Sequence, residues 1–222
     1  MRLVIFDLDG TLIDSVALIV EMVRTSFTDV GQPVPDDKTI RSISGITLAD
    51  AMKILAPGAD AARIEVITEA YRQRYHADRE TEREPLFDGV VAALDRLQAD
   101  PETILAVATG KGYEGSVTML TRLGIVDRFN SIETPTHNRG KPDPQMIETA
   151  MQKAGVDRAH TAMIGDTVHD MRMAKAAGVT AVGVAWGYHE AVELREAGAD
   201  IVIERFDQLD GALDQLLGKA HA

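Results

Sequence analysis

The chain has no cysteine, one tryptophan and no surplus of basic residues. The missing thiols exclude disulfides, thiolate nucleophiles and thiolate zinc sites, and they suit a reducing cytoplasm. Against 35 Asp and Glu stand only 23 Lys and Arg, a formal net charge of −12. A nucleic-acid or anionic-membrane partner needs a basic face, so neither is expected. The same field repels anionic metabolites, so a site that handles phosphate must carry its own local positive charge. No apolar stretch approaches membrane-spanning length, and the chain opens on a strand with no room for a signal peptide. Repeats and low-complexity tracts are absent too. The expectation left is a cytoplasmic protein with an ordinary core, since 45% of its 222 residues are hydrophobic.

What is present is organised around Arg2 to Ser15. An apolar run from Leu3 to Phe6 ends in Asp7 and Asp9, then turns at Gly10 and Thr11. A short apolar run bounded by turn residues reads as a buried strand in a parallel sheet. Two carboxylates just past its end are costly unless a cation or a reaction uses them. From Ser15 to about residue 80 the pattern is helical. Ser15 reads as the N-cap of a helix carrying Val16, Ile19, Val20, Val23 and Phe27, and Pro35-Asp36-Asp37 opens a second. Ile43-Ser44-Gly45-Ile46 makes a glycine-centred turn, after which Thr47 caps Leu48–Leu55. Ile64, Ile67, Tyr71 and Tyr75 share one face of a longer helix from Ala61 to about Glu80.

From Pro85 the chain alternates. Strands are expected at Thr103–Ala108, Phe129–Ile132, His160–Ile164, Val179–Val184 and Asp200–Ile203. Helices are expected at 89–97, 116–123, 144–154, 168–177 and 206–217. This spacing predicts an α/β core with a Rossmann-like, doubly wound parallel sheet, built from residues 1–14 and 85–222. An all-helical cap domain of residues 15–84 interrupts it, with hinges at about 13–16 and 80–86.

Open α/β sheets bind ligands beyond the carboxyl ends of their strands. There the chain places Asp7 and Asp9, then Thr109-Gly110-Lys111, then Lys141-Pro142, then Gly165-Asp166 with Asp170 one helical turn on. Asp7, Asp9 and Asp166 can form an oxygen-only site of the kind Mg²⁺ takes. The Thr109 hydroxyl, the amides of Gly110 and Lys111 and those after Asp7 can cradle an anion. Lys141 supplies a fixed positive charge. Together these groups point to phosphoryl transfer.

The stretches Asp7-Leu-Asp-Gly-Thr-Leu-Ile-Asp14, Thr109-Gly-Lys111, Gly140-Lys-Pro-Asp-Pro144 and Gly165-Asp-Thr-Val-His-Asp170 resemble the four motifs of the haloacid dehalogenase-like (HAD) hydrolases. They stand in that family's order, and the likeness spans the whole chain. Ser42-Ile-Ser-Gly-Ile-Thr-Leu48 and Val182-Gly-Val-Ala-Trp-Gly-Tyr188 resemble the phosphoglycolate phosphatase-like group within it. The resemblance implies that Asp7 is a nucleophile forming an aspartyl-phosphate, and that Asp9 is the general acid and then base. A second aspartate at Asp9 also separates phosphatases from dehalogenases. Thr109 would bind phosphoryl oxygens and Lys141 would offset charge. Mg²⁺ would be held by Asp7, Asp166 and the carbonyl of Asp9, with Asp170 acting through water or behind the ligands. The implied activity is hydrolysis of a small phosphorylated metabolite, with 2-phosphoglycolate the leading candidate. β-Phosphoglucomutase-like transfer, pyrophosphate hydrolysis and a non-catalytic binding role are the alternatives.

Other residues carry two readings. Arg41, Ser44, Gly45 and Thr47 are the substrate candidates of the cap, against a plain helix–helix turn. Asp14 and Ser15 read as capping residues. Asp170 serves either the metal shell or its own helix start. The histidines at 76, 137, 160, 169, 189 and 221 lack metal-ligand spacing and read as surface or loop residues, with only His169 inside a motif. Trp186 either walls the site or packs. Met163, Met171 and Met173 read as core filler, Lys53 and the run Arg79–Glu84 as solvated surface. A monomer and a homodimer both fit.

Overall fold

Strand β1 (Arg2–Phe6) is buried along its whole length, as a run without polar alternation requires. In the computed structural model, which describes residues 1–78 and 84–218, it pairs on both sides. The other strands are β2 (Thr103–Ala108), β3 (Ser131–Glu133), β4 (Thr161–Gly165), β5 (Thr180–Val184) and β6 (Ile201–Ile203). All six form one parallel sheet in the order β3-β2-β1-β4-β5-β6. Phe6 stands opposite Val107 on one side and Ile164 on the other. Strands β1, β2 and β4 therefore end almost level. That register brings Asp7, Thr109 and Asp166 to one edge.

Neighbouring side chains of β1 divide between the two faces. Val4 and Phe6 join a core with Leu105, Val107 and Ile164. It is closed by helices α5 (Val90–Ala99), α6 (Tyr113–Arg122) and α10 (Leu209–Leu217). Leu3 and Ile5 join Ala106, Met163 and Ala181 on the other face. Helices α7 (Gln145–Ala154), α8 (Val168–Ala177) and α9 (Ala191–Glu196) cover that side. Met163, Met171 and Met173 are fully buried there.

Between β1 and α5 lie α1 (Val16–Asp29), α2 (Asp37–Ser42), α3 (Leu48–Leu55) and α4 (Ala61–Asp78). Val23, Phe27, Ile40, Met52, Leu55 and Ile67 give them an apolar cluster of their own. The two connections to the sheet run side by side, for Asp14 N–H donates to Pro85 O and Phe87 N–H to Leu12 O, at 2.9 and 3.0 Å. Among the described residues no helix is long and apolar enough to cross a membrane.

Several local expectations change. Ser15 occupies the N-cap position of α1, but its φ of −106° and ψ of −3° leave its side chain making no cap hydrogen bond. Its hydroxyl instead lies 3.2 Å from the Tyr188 hydroxyl. Helix α9 has no counterpart in the sequence reading. Its short apolar content hides it, although Glu193 accepts from the Glu190 N–H at 2.9 Å as helix-start pairs do. His189 is buried, and its Nδ1 accepts from the Val168 N–H at the start of α8 (2.9 Å). Glu84 is buried rather than solvated, 3.5 Å from Arg122. Of the Arg79–Glu84 run and the 80–86 hinge, residues 79–83 lie outside the described residues, as does His221.

Candidate active site

Asp7 leaves β1 with its N–H donating to Ile164 O at 2.9 Å, so the sheet itself sets its position. Its Oδ1 accepts from the Leu8 N–H at 2.7 Å, and its Oδ2 lies 2.9 Å from Lys141 Nζ. Lys141 reaches in from the loop before α7 and also lies 2.6 Å from Asp170 Oδ1. All three side chains are buried. Burial, acting first, pulls the Lys141 ammonium down, but Asp170 and Asp7 outweigh it and raise it to about 12. The lysine is a permanent charge.

Asp166, after β4, is held by both oxygens. Thr11 Oγ1 donates to Oδ1 and Tyr188 N–H to Oδ2, each at 2.8 Å. Gly10 makes this possible, since at its φ of +80° an added Cβ would fall 2.2 Å from Asp166 Oδ2. Asp170 caps the start of its own helix. Its Oδ2 accepts from the Thr167 N–H (3.1 Å) while Thr167 Oγ1 accepts from the Asp170 N–H (3.2 Å), a reciprocal cap of α8. Its Oδ1 faces the site.

Asp7, Asp166 and Asp170 each offer a carboxylate oxygen, all within 4.8 Å of one another. Three buried carboxylates meet one ammonium, and the excess shows in the acidity of Asp7 and Asp166. Burial pushes the Asp7 carboxyl up to about 7; Lys141 pulls against it, while Asp170 and Asp9 add to it. Burial, then Asp170 and Asp7, hold Asp166 well above the usual carboxylate range. An all-oxygen set with uncompensated negative charge suits a hard divalent cation. The Asp9 side chain is not in this cluster.

Asp9 turns the other way, with Oδ2 3.2 Å from Lys111 Nζ. Lys111 also donates to Tyr75 Oη of α4 at 3.0 Å. The side chain of Lys111 is thus part of the site, a role its place in a Thr-Gly-Lys loop did not reveal. Thr109 is buried at the same edge. The amide cradle is thinner than expected. Lys111 N–H donates to Thr109 Oγ1 (3.3 Å), Leu8 N–H to Asp7 and Gly10 N–H to Ile13 O (2.9 Å).

Above this edge lies a cavity of about 360 Å³ between the sheet and the helical block. Its floor is Asp7, Asp9, Thr109, Gly110 and Lys111. Its roof includes Ser44, Gly45, Ile46, Leu48, Tyr71, Arg72 and Tyr75. The turn at Gly45 (φ +85°) comes so close that a Cβ on Gly110 would meet Gly45 O and Ile46 O at 2.7 Å. Of the four cap candidates, Ser44 and Gly45 line the cavity. Arg41 is exposed and outside it, and Thr47 spends its hydroxyl capping α3 against Asp50. Ile46, Leu48, Tyr71 and Tyr75 went unrecognised because an apolar stripe reads first as core. Trp186 packs: its Nε1 donates to Thr11 O at 3.0 Å and its ring lies 4.6 Å from that of Phe206. Lys53 pairs with Asp50 on the surface.

The haloacid dehalogenase-like hydrolase pattern matches residues 4–184. A probable phosphatase, IndB, of Dickeya dadantii is 37% identical over 221 residues, covering 97% of this chain and 94% of its own. A phosphoglycolate phosphatase of Agrobacterium fabrum is 32% identical over 226 residues, with 99% and 96% covered. The crystal structure of a hydrolase from Pseudomonas syringae superposes with a TM-score of 0.85 at 27% identity, covering 97% of this chain and 99% of that one. Sheet order, the level strand ends and these near-complete matches agree, and the chain belongs to the haloacid dehalogenase-like hydrolases as one of their phosphatases.

Proposed function

We propose that this phosphatase is Mg²⁺-dependent and hydrolyses a small phosphate monoester through an aspartyl-phosphate on Asp7. The observation that carries the reading is the division between the two aspartates. Asp7 sits among Lys141, Asp166 and Asp170, whereas Asp9 stands apart at the cavity floor. The cation would be held by Asp7, Asp166, Asp170 and the carbonyl of Asp9, and when bound it neutralises charge on the transferring phosphoryl group. Asp7 attacks phosphorus as the bond to the alcohol oxygen breaks. Asp9 gives that oxygen a proton, then takes one from the water that hydrolyses the phospho-aspartate. Lys141, already charged, offsets Asp7 and the phosphoryl oxygens, and Thr109 donates to one of them.

The alcohol would leave into the cavity, under Ser44, Gly45 and Ile46. For its identity, 2-phosphoglycolate is the first candidate, supported by the name of the 32% identical Agrobacterium relative. Phosphate release from a metabolite panel, with and without Mg²⁺, tests the reading. The panel includes 2-phosphoglycolate, β-glucose 1-phosphate and pyrophosphate. Mg²⁺-stimulated release led by a monoester is expected. No release from any compound would overturn the reading, and conversion of β-glucose 1-phosphate to glucose 6-phosphate without release would replace it by transfer.

A further inference from the structure

Each of the two aspartates at the end of β1 has a lysine of its own. Lys141 serves Asp7 and Asp170; Lys111 serves Asp9, with the paired side chains only 13% and 14% exposed. The Lys111 stem lies along α6, with Cγ 3.7 Å from where a Cβ on Gly115 would stand. Its ammonium is 4.7 Å from the centre of the Tyr75 ring as well as bonded to the hydroxyl. Tyr75 in turn stacks on Tyr71 of the same helix, centroids 6.4 Å apart and planes 10° from parallel. Asp9, Tyr75 and Glu84 are the groups that hold the ammonium charged against its burial. One oxygen of Asp9, Oδ2, is thereby tied. The other, Oδ1, is buried with no hydrogen-bond partner among the described residues, on a residue that forms the cavity floor.

We propose that Lys111 and Tyr75 are positioning residues that hold Asp9 so that Oδ1 meets the leaving oxygen. The proposal rests on the phosphatase reading. In the step concerned Asp7 bonds to phosphorus, the bond from phosphorus to the alcohol oxygen breaks, and a proton passes from the Asp9 carboxyl to that oxygen. Such a transfer needs the acid within hydrogen-bond reach and held there. Without Lys111 the Asp9 carboxylate keeps Asp7 as a charged neighbour and loses the contact that ties Oδ2. Tyr75 belongs to the helical block whereas Lys111 and Asp9 belong to the sheet edge. The Tyr75 contact therefore steadies the lysine only when α4 lies over the site.

The test compares kcat/KM for two esters of similar size, p-nitrophenyl phosphate and benzyl phosphate, in wild type, Lys111→Met and Tyr75→Phe. Nitrophenolate leaves without a proton; benzyl alcohol needs one. Lys111→Met is expected to lose about 100-fold on benzyl phosphate and less than about 5-fold on p-nitrophenyl phosphate. Tyr75→Phe is expected to move the ratio the same way by about 3-fold. A ratio between esters does not depend on how much of a variant is folded. Equal losses on both esters in both variants would overturn the proposal, as would a wild type that cleaves p-nitrophenyl phosphate but not benzyl phosphate. A wild type that cleaves neither ester and no compound of the metabolite panel with Mg²⁺ would overturn the phosphatase reading itself.

Discussion

Asp7 and Asp9 are the same side chain one residue apart, and their surroundings give them different work. Asp7 is enclosed with Asp166, Asp170 and Lys141, where the proposed mechanism puts the cation and the nucleophile. Asp7→Asn is expected to fold and to lose about a thousandfold or more in kcat, read by phosphate release beside a circular dichroism melt. Lys141→Met should be worse for the fold, since it leaves two buried carboxylates without their ammonium. A loss of about 3–5 kcal/mol in a denaturant titration is expected. At this scale the residues directly after apolar runs were legible, because a strand end plus a carboxylate has few innocent explanations. Lys111, Ser15 and His189 were not. Their partners, Asp9, Tyr188 and the start of α8, come from distant segments that no local spacing names.

The elements meet where the Gly45 turn rests on the loop after β2. Gly110 admits that contact only because it has no side chain, for a Cβ there would overlap two carbonyl oxygens. Gly110→Ala must push the helical block off the strand ends. A loss of about 1–3 kcal/mol in stability and about 100-fold in kcat/KM for a metabolite ester is expected, from chemical denaturation and steady-state kinetics. The six strands were legible as apolar runs, and five of the helices between and beyond them as amphipathic stretches. Helix α9 was too short to show a period. The cavity roof was hidden for a different reason. Tyr71 packs against the cluster of Phe27 and Ile67 and also lines the cavity, and one apolar stripe cannot announce two duties.

At the scale of the molecule, an acidic chain concentrates carboxylates where the sheet strands end, so its stability should answer to protons and cations together. The Asp7 carboxyl, raised to about 7 from 3.8, keeps its proton more readily folded than unfolded. That contribution is complete below about pH 4 and is lost as pH rises through 7. Without metal, wild type should lose melting temperature over this range relative to Asp7→Asn. Mg²⁺ should restore it, and by more at pH 7.5 than at pH 5.5, because cation and proton compete for one site. The central claim is the covalent bond to Asp7. Rapid quenching during turnover, borohydride reduction of any acyl phosphate and peptide mass spectrometry test it most directly. Homoserine at position 7, absent without substrate, is the expected result; an unmodified Asp7 with homoserine at position 9 or at no position would contradict it.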